Sequence, residues 1–154
     1  MDDLSYMRLA LDQAQLAYDQ DEVPVGAVLV DKNGVLLASA YNQVISLHDP
    51  SAHAEVQVMR KASVQLQNYR LVDTTLFVSL EPCMMCYGAM VHARIKRLVY
   101  ATPEPKAGVV TSQLKVPSLN FLNHKISVDC GPMGDESRAL LQQFFAKKRL
   151  NKKS

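Results

Sequence analysis

Four side chains in this sequence have types and spacings suited to metal chemistry: His53 and Glu55, two apart, and Cys83 and Cys86, three apart. A Cys-x-x-Cys at the start of a helix puts both sulfurs on one side of the first turn, where the helix N-terminus favours the thiolate that binds metal. One imidazole from a neighbouring helix completes three ligands. Zinc with three protein ligands keeps a fourth tetrahedral position for water, and that water's pKa can fall from about 15.7 to roughly 7. Glu55 leaves its helix about 200° away from His53, so it need not ligate the metal and can take the water's proton to the substrate. Each piece alone has plainer readings. An isolated Cys-x-x-Cys also suits a redox pair or half of a closed zinc site, and a lone helical His or Glu is ordinary surface or core. No thioredoxin-like strand context supports the redox pair, and no second cysteine pair closes a structural site.

Those residues need elements to hold them. Residues 4–18 repeat apolar side chains near helical spacing behind candidate caps Asp2 and Asp3. Residues 25–30 and 35–40 are strand-forming runs joined by Asp31-Lys32-Asn33-Gly34, whose Asn-Gly is a hairpin signal. After a polar loop, residues 53–66 return to helical periodicity. Residues 75–80 form a strand that Glu81-Pro82 ends, with the proline expected at the first helical position of a helix over 83–93. A strand over 97–101, a Pro/Gly-punctuated loop over 102–108, an edge strand over 125–128 and an amphipathic helix over 135–150 complete the chain. That order predicts a three-layer α/β domain, a mixed sheet of about five strands with helices on both faces, centred on Val28, Val30, Leu76, Val78 and Val99.

Composition narrows the class further. The 154 residues, 48% hydrophobic and 21% charged, suit one domain spanning 1–154 and exclude disordered, collagen-like and repeat architectures. No run approaches the roughly 20 apolar residues of a membrane span, and the acidic Met1-Asp2-Asp3 start is unlike a secretory signal, so a cytoplasmic protein is expected. Three cysteines argue against a disulfide framework, and Cys130, far from the pair, is expected as a buried free thiol. The net charge is +2, yet five of the 17 basic residues lie in 147–154, which leaves 12 against 15 acidic residues elsewhere. The basic C-terminal helix and tail over about 135–154 is therefore either a contact for a phosphate backbone or a solvated end.

His-x-Glu followed by Pro-Cys-x-x-Cys is the known signature of zinc nucleobase deaminases. The stretches over 22–30, 48–55, 68–71 and 81–86, with Gly88-Ala89-Met90 and Phe144-Phe145, resemble the bacterial tRNA-specific adenosine deaminases of the cytidine deaminase-like superfamily along nearly the whole chain. The resemblance implies that His53, Cys83 and Cys86 hold one Zn2+ per subunit and that Glu55 shuttles protons. Water activated by the metal would add to adenine C6 and ammonia leave, giving inosine at the wobble position of a tRNA anticodon loop. By the same resemblance Asn42 hydrogen-bonds the purine, Ala54 offers a backbone group to the base, Val23 walls the pocket, and Lys106 lies in an RNA-contact loop. A homodimer, with both subunits shaping the RNA site, is implied as well. Asn42 also reads as a turn former, and Val23 and Ala54 as core contacts. One departure is Thr102-Pro103-Glu104-Pro105-Lys106: where the family usually has Asp, Glu104 adds a methylene between two stiffening prolines and is a binding candidate. His48, His92 and His124 are expected in loop-ordering, packing or surface roles.

Three functions compete. One is tRNA adenosine deamination. Another is deamination of a free base or nucleoside, for which a basic tail would be idle. The third is a zinc module without catalysis, its fourth ligand being His92 or Cys130.

Overall fold

The computed structural model describes residues 1–153, and the most apolar runs of the sequence set its central layer. Gly26–Val30 (β1) is buried along its whole length, as a central strand must be. Beside it lie Thr75–Leu80 (β3) and Arg97–Thr102 (β4), while the more polar Leu36–Tyr41 (β2) and Ser127–Cys130 (β5) take the edges, in the order β2-β1-β3-β4-β5. Strand β1 runs antiparallel to β2 and β3, and β3, β4 and β5 are mutually parallel.

Alternation along the strands sorts the core into two halves. Ala27, Leu29, Leu76 and Val78 pack with Val58, Ala62 and Met90, so Ala54–Leu66 (α2) and Met84–Ala93 (α3) cover one face. Val28, Val30, Phe77 and Val99 pack with Tyr6, Met7 and Ala10 of Asp3–Asp19 (α1) on the other. The approach of α1 to β1 is so close that a Cβ at Gly26 would stand 2.7 Å from Gln13 Cβ and inside the Ala10 carbonyl oxygen. The last helix, Gly134–Lys153 (α4), docks through Ser137 Oγ, which donates to the Ser79 carbonyl at 2.6 Å, and through Phe144, whose ring meets Tyr18 at 6.1 Å. Ser154, the end of the expected basic tail, lies outside the described residues. Among the described residues no helix is long and apolar enough to cross a membrane.

The expected elements are present with local shifts. Asp2 caps α1, accepting from Ser5 N at 2.9 Å. In the 31–34 hairpin only Gly34 has a positive φ, 82°, so the loop is a three-residue turn whose Asp31 carboxylate accepts from the backbone N–H of Asn33 and Val35. Strand β2 starts at Leu36 and a one-turn 3-10 helix, Val116–Ser118, was not foreseen. Pro82 is not the first helical residue. Helix α3 begins at Met84, with Cys83 as an extended N-cap and the Pro82 carbonyl accepting from Val109 N at 3.1 Å. The edge strand runs 127–130 rather than 125–128, because parallel pairing with β4 sets Arg97 against Ser127 and Tyr100 against Cys130. On that edge Cys130 is exposed, not buried as expected, since it ends the edge strand of the sheet.

Candidate active site

Helix starts bring the three donors together. His53 is the N-cap of α2 and Cys83 that of α3, both in extended backbone, and neither side chain caps its own helix, so both are free to turn toward a shared centre. His53 Nδ1 stands 3.4 Å from Cys86 Sγ and 3.6 Å from Cys83 Sγ, and the three donor atoms lie within 4.8 Å of one another. Zn–S bonds of about 2.3 Å and Zn–N bonds of about 2.0–2.1 Å at a tetrahedral angle place sulfur and nitrogen about 3.6 Å apart, so this donor set fits zinc. Among the described residues no other His, Cys, Asp or Glu joins the group, which argues against a closed site using His92 or Cys130. The Cys86 thiol donates to Cys83, holding Cys83 down at about 4, and the same bond with burial pushes Cys86 up. Hydrogen bonding to Cys83 raises His53.

Glu55 lies one helical residue beyond Ala54 and is only 4% exposed. Burial pushes its carboxyl up to about 7, a value suited to passing a proton in both directions near neutrality. Glu55, His53, Cys83, Asn42, Val23 and Glu104 all line one cavity of about 360 Å³, large enough for a nucleobase. Ala54 does not line it. Its N–H is given to Asn42 Oδ1 at 2.7 Å, which fixes the Asn42 amide beside the cavity instead of leaving that N–H for a base.

Two buried acids that sequence reasoning passed over hold the cavity walls. Glu22, 1% exposed, accepts from Ile45 N at 3.0 Å and Ser46 N at 2.7 Å, fixing the loop that supplies Val44 and Ile45. Glu81, 2% exposed, accepts from the backbone N–H of Glu104, Val110, Thr111 and Ser112. Burial alone would raise the Glu81 carboxyl, but the bonds from Ser112 and its neighbours hold it below the usual value. Neither stands out in the sequence: Glu22 ends the polar run Asp19-Gln20-Asp21-Glu22, and Glu81 is a single acid between Leu80 and Pro82, patterns that a solvated turn shares.

Lys106 is not in the cavity. It is exposed on the rim of an adjoining groove, between the 103–106 loop and α4, whose lining includes Arg138, Phe145, Lys148, Arg149 and Lys152. Glu104 borders both cavity and groove, so the two adjoin at that side chain. Phe145 is 45% exposed, while Lys148 pairs with Asp21 and lies 5.4 Å over the Phe144 ring. Of the other histidines, His124 Nε2 meets the Ile95 carbonyl at 2.7 Å, and none joins the donor group.

A buried acid beside a three-donor group in a base-sized cavity is the arrangement of a deaminase, and comparison with known proteins agrees. The family model described as MafB19-like deaminase matches residues 1–149. A tRNA-specific adenosine deaminase of Haemophilus influenzae is 42% identical over 151 residues, covering 98% of this chain and 87% of that protein. One of Agrobacterium fabrum is 43% identical over 146 residues, covering 95% of each. A solved structure from studies of A-to-I editing by tRNA:A34 deaminases superimposes with a TM-score of 0.86 at 41% identity, covering 89% of this chain and 99% of that one. Site, fold and relatives converge: the chain matches the MafB19-like deaminases along nearly its whole length, belongs with the tRNA-specific adenosine deaminases and is a hydrolytic enzyme.

Proposed function

We propose that this enzyme converts adenosine to inosine at the wobble position of a tRNA anticodon loop, releasing ammonia, with one zinc ion per subunit held by His53, Cys83 and Cys86. The observation that carries the reading is Glu55, buried at the wall of the cavity that the donors His53 and Cys83 also line. Zinc supplies Lewis acidity that makes water a nucleophile near neutral pH. Glu55 would pass one proton of the water to the purine ring nitrogen and the second to the departing amino group, so that C6 gains the oxygen and the C6–N bond breaks to release ammonia. Asn42, held by the Ala54 N–H, presents its amide to the base, and Val23 packs against it.

A loop adenosine suits this cavity because it can be splayed from the stack for only a few kcal/mol. The neighbouring nucleotides then lie toward the groove, where Lys106, Arg149 and Lys152 meet phosphates and Phe145 offers a stacking face. This path favours RNA over a free base. Assembly as a homodimer is supported by an apolar surface on α2 and α3, where Val64 is 78%, Met84 63% and Met85 40% exposed. Met84 adjoins the ligand Cys83, so a second copy on that face borders the site.

The test offers the zinc-loaded protein an anticodon hairpin with adenosine at the wobble position, alongside free adenosine, cytidine and guanine. Inosine from the hairpin alone, with one zinc per chain, supports the reading; turnover of a free base or nucleoside moves the enzyme to salvage chemistry.

A further inference from the structure

Glu81 follows the end of β3, two residues before Cys83, and lines the cavity, yet its carboxylate is taken up by the loop beyond. Oε1 accepts from Glu104 N at 3.0 Å and from the Ser112 hydroxyl, and Oε2 accepts from Val110 N at 2.9 Å, Thr111 N at 2.8 Å and Ser112 N at 3.0 Å. Five donors exceed the roughly four lone-pair sites of a carboxylate. No capacity remains for a substrate proton, in contrast to Glu55.

The segment 104–112 is thus wrapped around one buried anion. Gly108 shows how tightly: a Cβ there would stand 2.6 Å from Glu81 Oε1 and 2.7 Å from the Glu104 carbonyl oxygen. Further bonds close the loop on itself, Gly108 N to Glu104 O at 2.9 Å and Gln113 N to Gly108 O at 2.8 Å. The same segment supplies Glu104 and Ala107 to the cavity wall, and Glu104 and Lys106 to the basic groove. A loop rich in exposed polar backbone would otherwise be mobile; a buried carboxylate gathering four consecutive-turn amides removes that freedom before substrate arrives.

We propose that Glu81 is a positioning residue for RNA: by gathering the 104–112 amides it presets the wall shared by the base cavity and the basic groove. The inference rests on the RNA reading of that groove. It acts on substrate capture rather than on proton transfer, because its oxygens are saturated by the loop.

The test compares unsubstituted enzyme with Glu81→Gln, Gly108→Ala and the double variant, following zinc content, KM and kcat on the anticodon hairpin, and amide hydrogen exchange over 104–112. Gln keeps the volume but turns an NH2 group against backbone donors; Ala at 108 pushes the loop off the carboxylate. Each single variant is expected to raise KM at least tenfold and lower kcat less than threefold, with zinc retained and exchange at 110–112 accelerated. The double variant is expected to be no worse than the worse single one, since both release the same loop. An unchanged KM, a kcat loss at constant KM, or additive effects would overturn the proposal, as would unaccelerated exchange. Should Glu81→Gln fail to fold, Ser112→Ala, which removes only the hydroxyl donor, is expected to raise KM two- to fivefold, and no change there would count against it. If the unsubstituted enzyme leaves the hairpin intact, the functional reading and the substrate part of this proposal fall together, while exchange still decides whether Glu81 orders the loop.

Discussion

Glu55 differs from the other buried acids in what surrounds it. All three line the cavity, but Glu22 and Glu81 accept from backbone N–H groups of its loops, whereas Glu55 lies beside the sulfur and imidazole donors, and burial raises it to about 7. A carboxylate is needed to accept a proton from water, so kcat/KM is expected to fall about tenfold per pH unit below roughly 7. Glu55→Gln removes that limb along with about 10²–10⁴ of the rate while zinc content, read by elemental analysis, stays at one per chain. Full activity of the glutamine variant would exclude the proton-shuttle role. At this scale the sequence was informative where chemistry restricts residue type: His53, Glu55, Cys83 and Cys86 meet as their spacing implied. Ala54 was less legible, because whether a backbone N–H faces a base or a side chain depends on a hydrogen bond to Asn42, twelve residues away.

At the scale of elements, the site depends on two helix starts held at fixed depth over a sheet buried on both faces. Gly26 sets the depth of α1 on the opposite face: Gly26→Ala would drive a methyl group into the Ala10 carbonyl and Gln13, separating α1 from β1. Overpacking of this kind against backbone is expected to cost about 3 kcal/mol or more, seen as a lower denaturation midpoint at unchanged slope. Stability like that of the unsubstituted protein would mean that α1 can shift at no cost. Strands and helices were legible because their periodicities are backbone properties: Val28 and Val30 face α1, and Ala27 and Leu29 face α2, as alternation requires. The start of α3 was misplaced by one residue because Pro82 fits before an N-cap as well as after one, and only the turn of Cys83 toward His53 decides. Cys130 was misjudged because the edge strand was expected to end at 128, and only its register against β4 carries it on to Cys130.

For the whole molecule, the separation of charge seen in the sequence becomes a groove. Lys106 and the basic residues of α4 come from segments about forty residues apart, and only the docking of α4 beside the 103–106 loop unites them. Binding of an anticodon hairpin is expected to weaken with salt, log affinity falling by about 0.7 per single-strand phosphate neutralised against log salt. Lys106→Ala, Arg149→Ala and Lys152→Ala are each expected to lower that slope by about 0.7, measured by fluorescence anisotropy across a salt series. An unaltered slope would place the RNA elsewhere. The most direct test of the account runs the hairpin reaction in water labelled with oxygen-18, with zinc-loaded unsubstituted enzyme and with Glu55→Gln. The account requires one labelled oxygen in inosine at the wobble position from the first, and labelling slower by about 10²–10⁴ from the second at equal zinc content. Absence of inosine from the unsubstituted enzyme, or undiminished labelling by the glutamine variant, would contradict it.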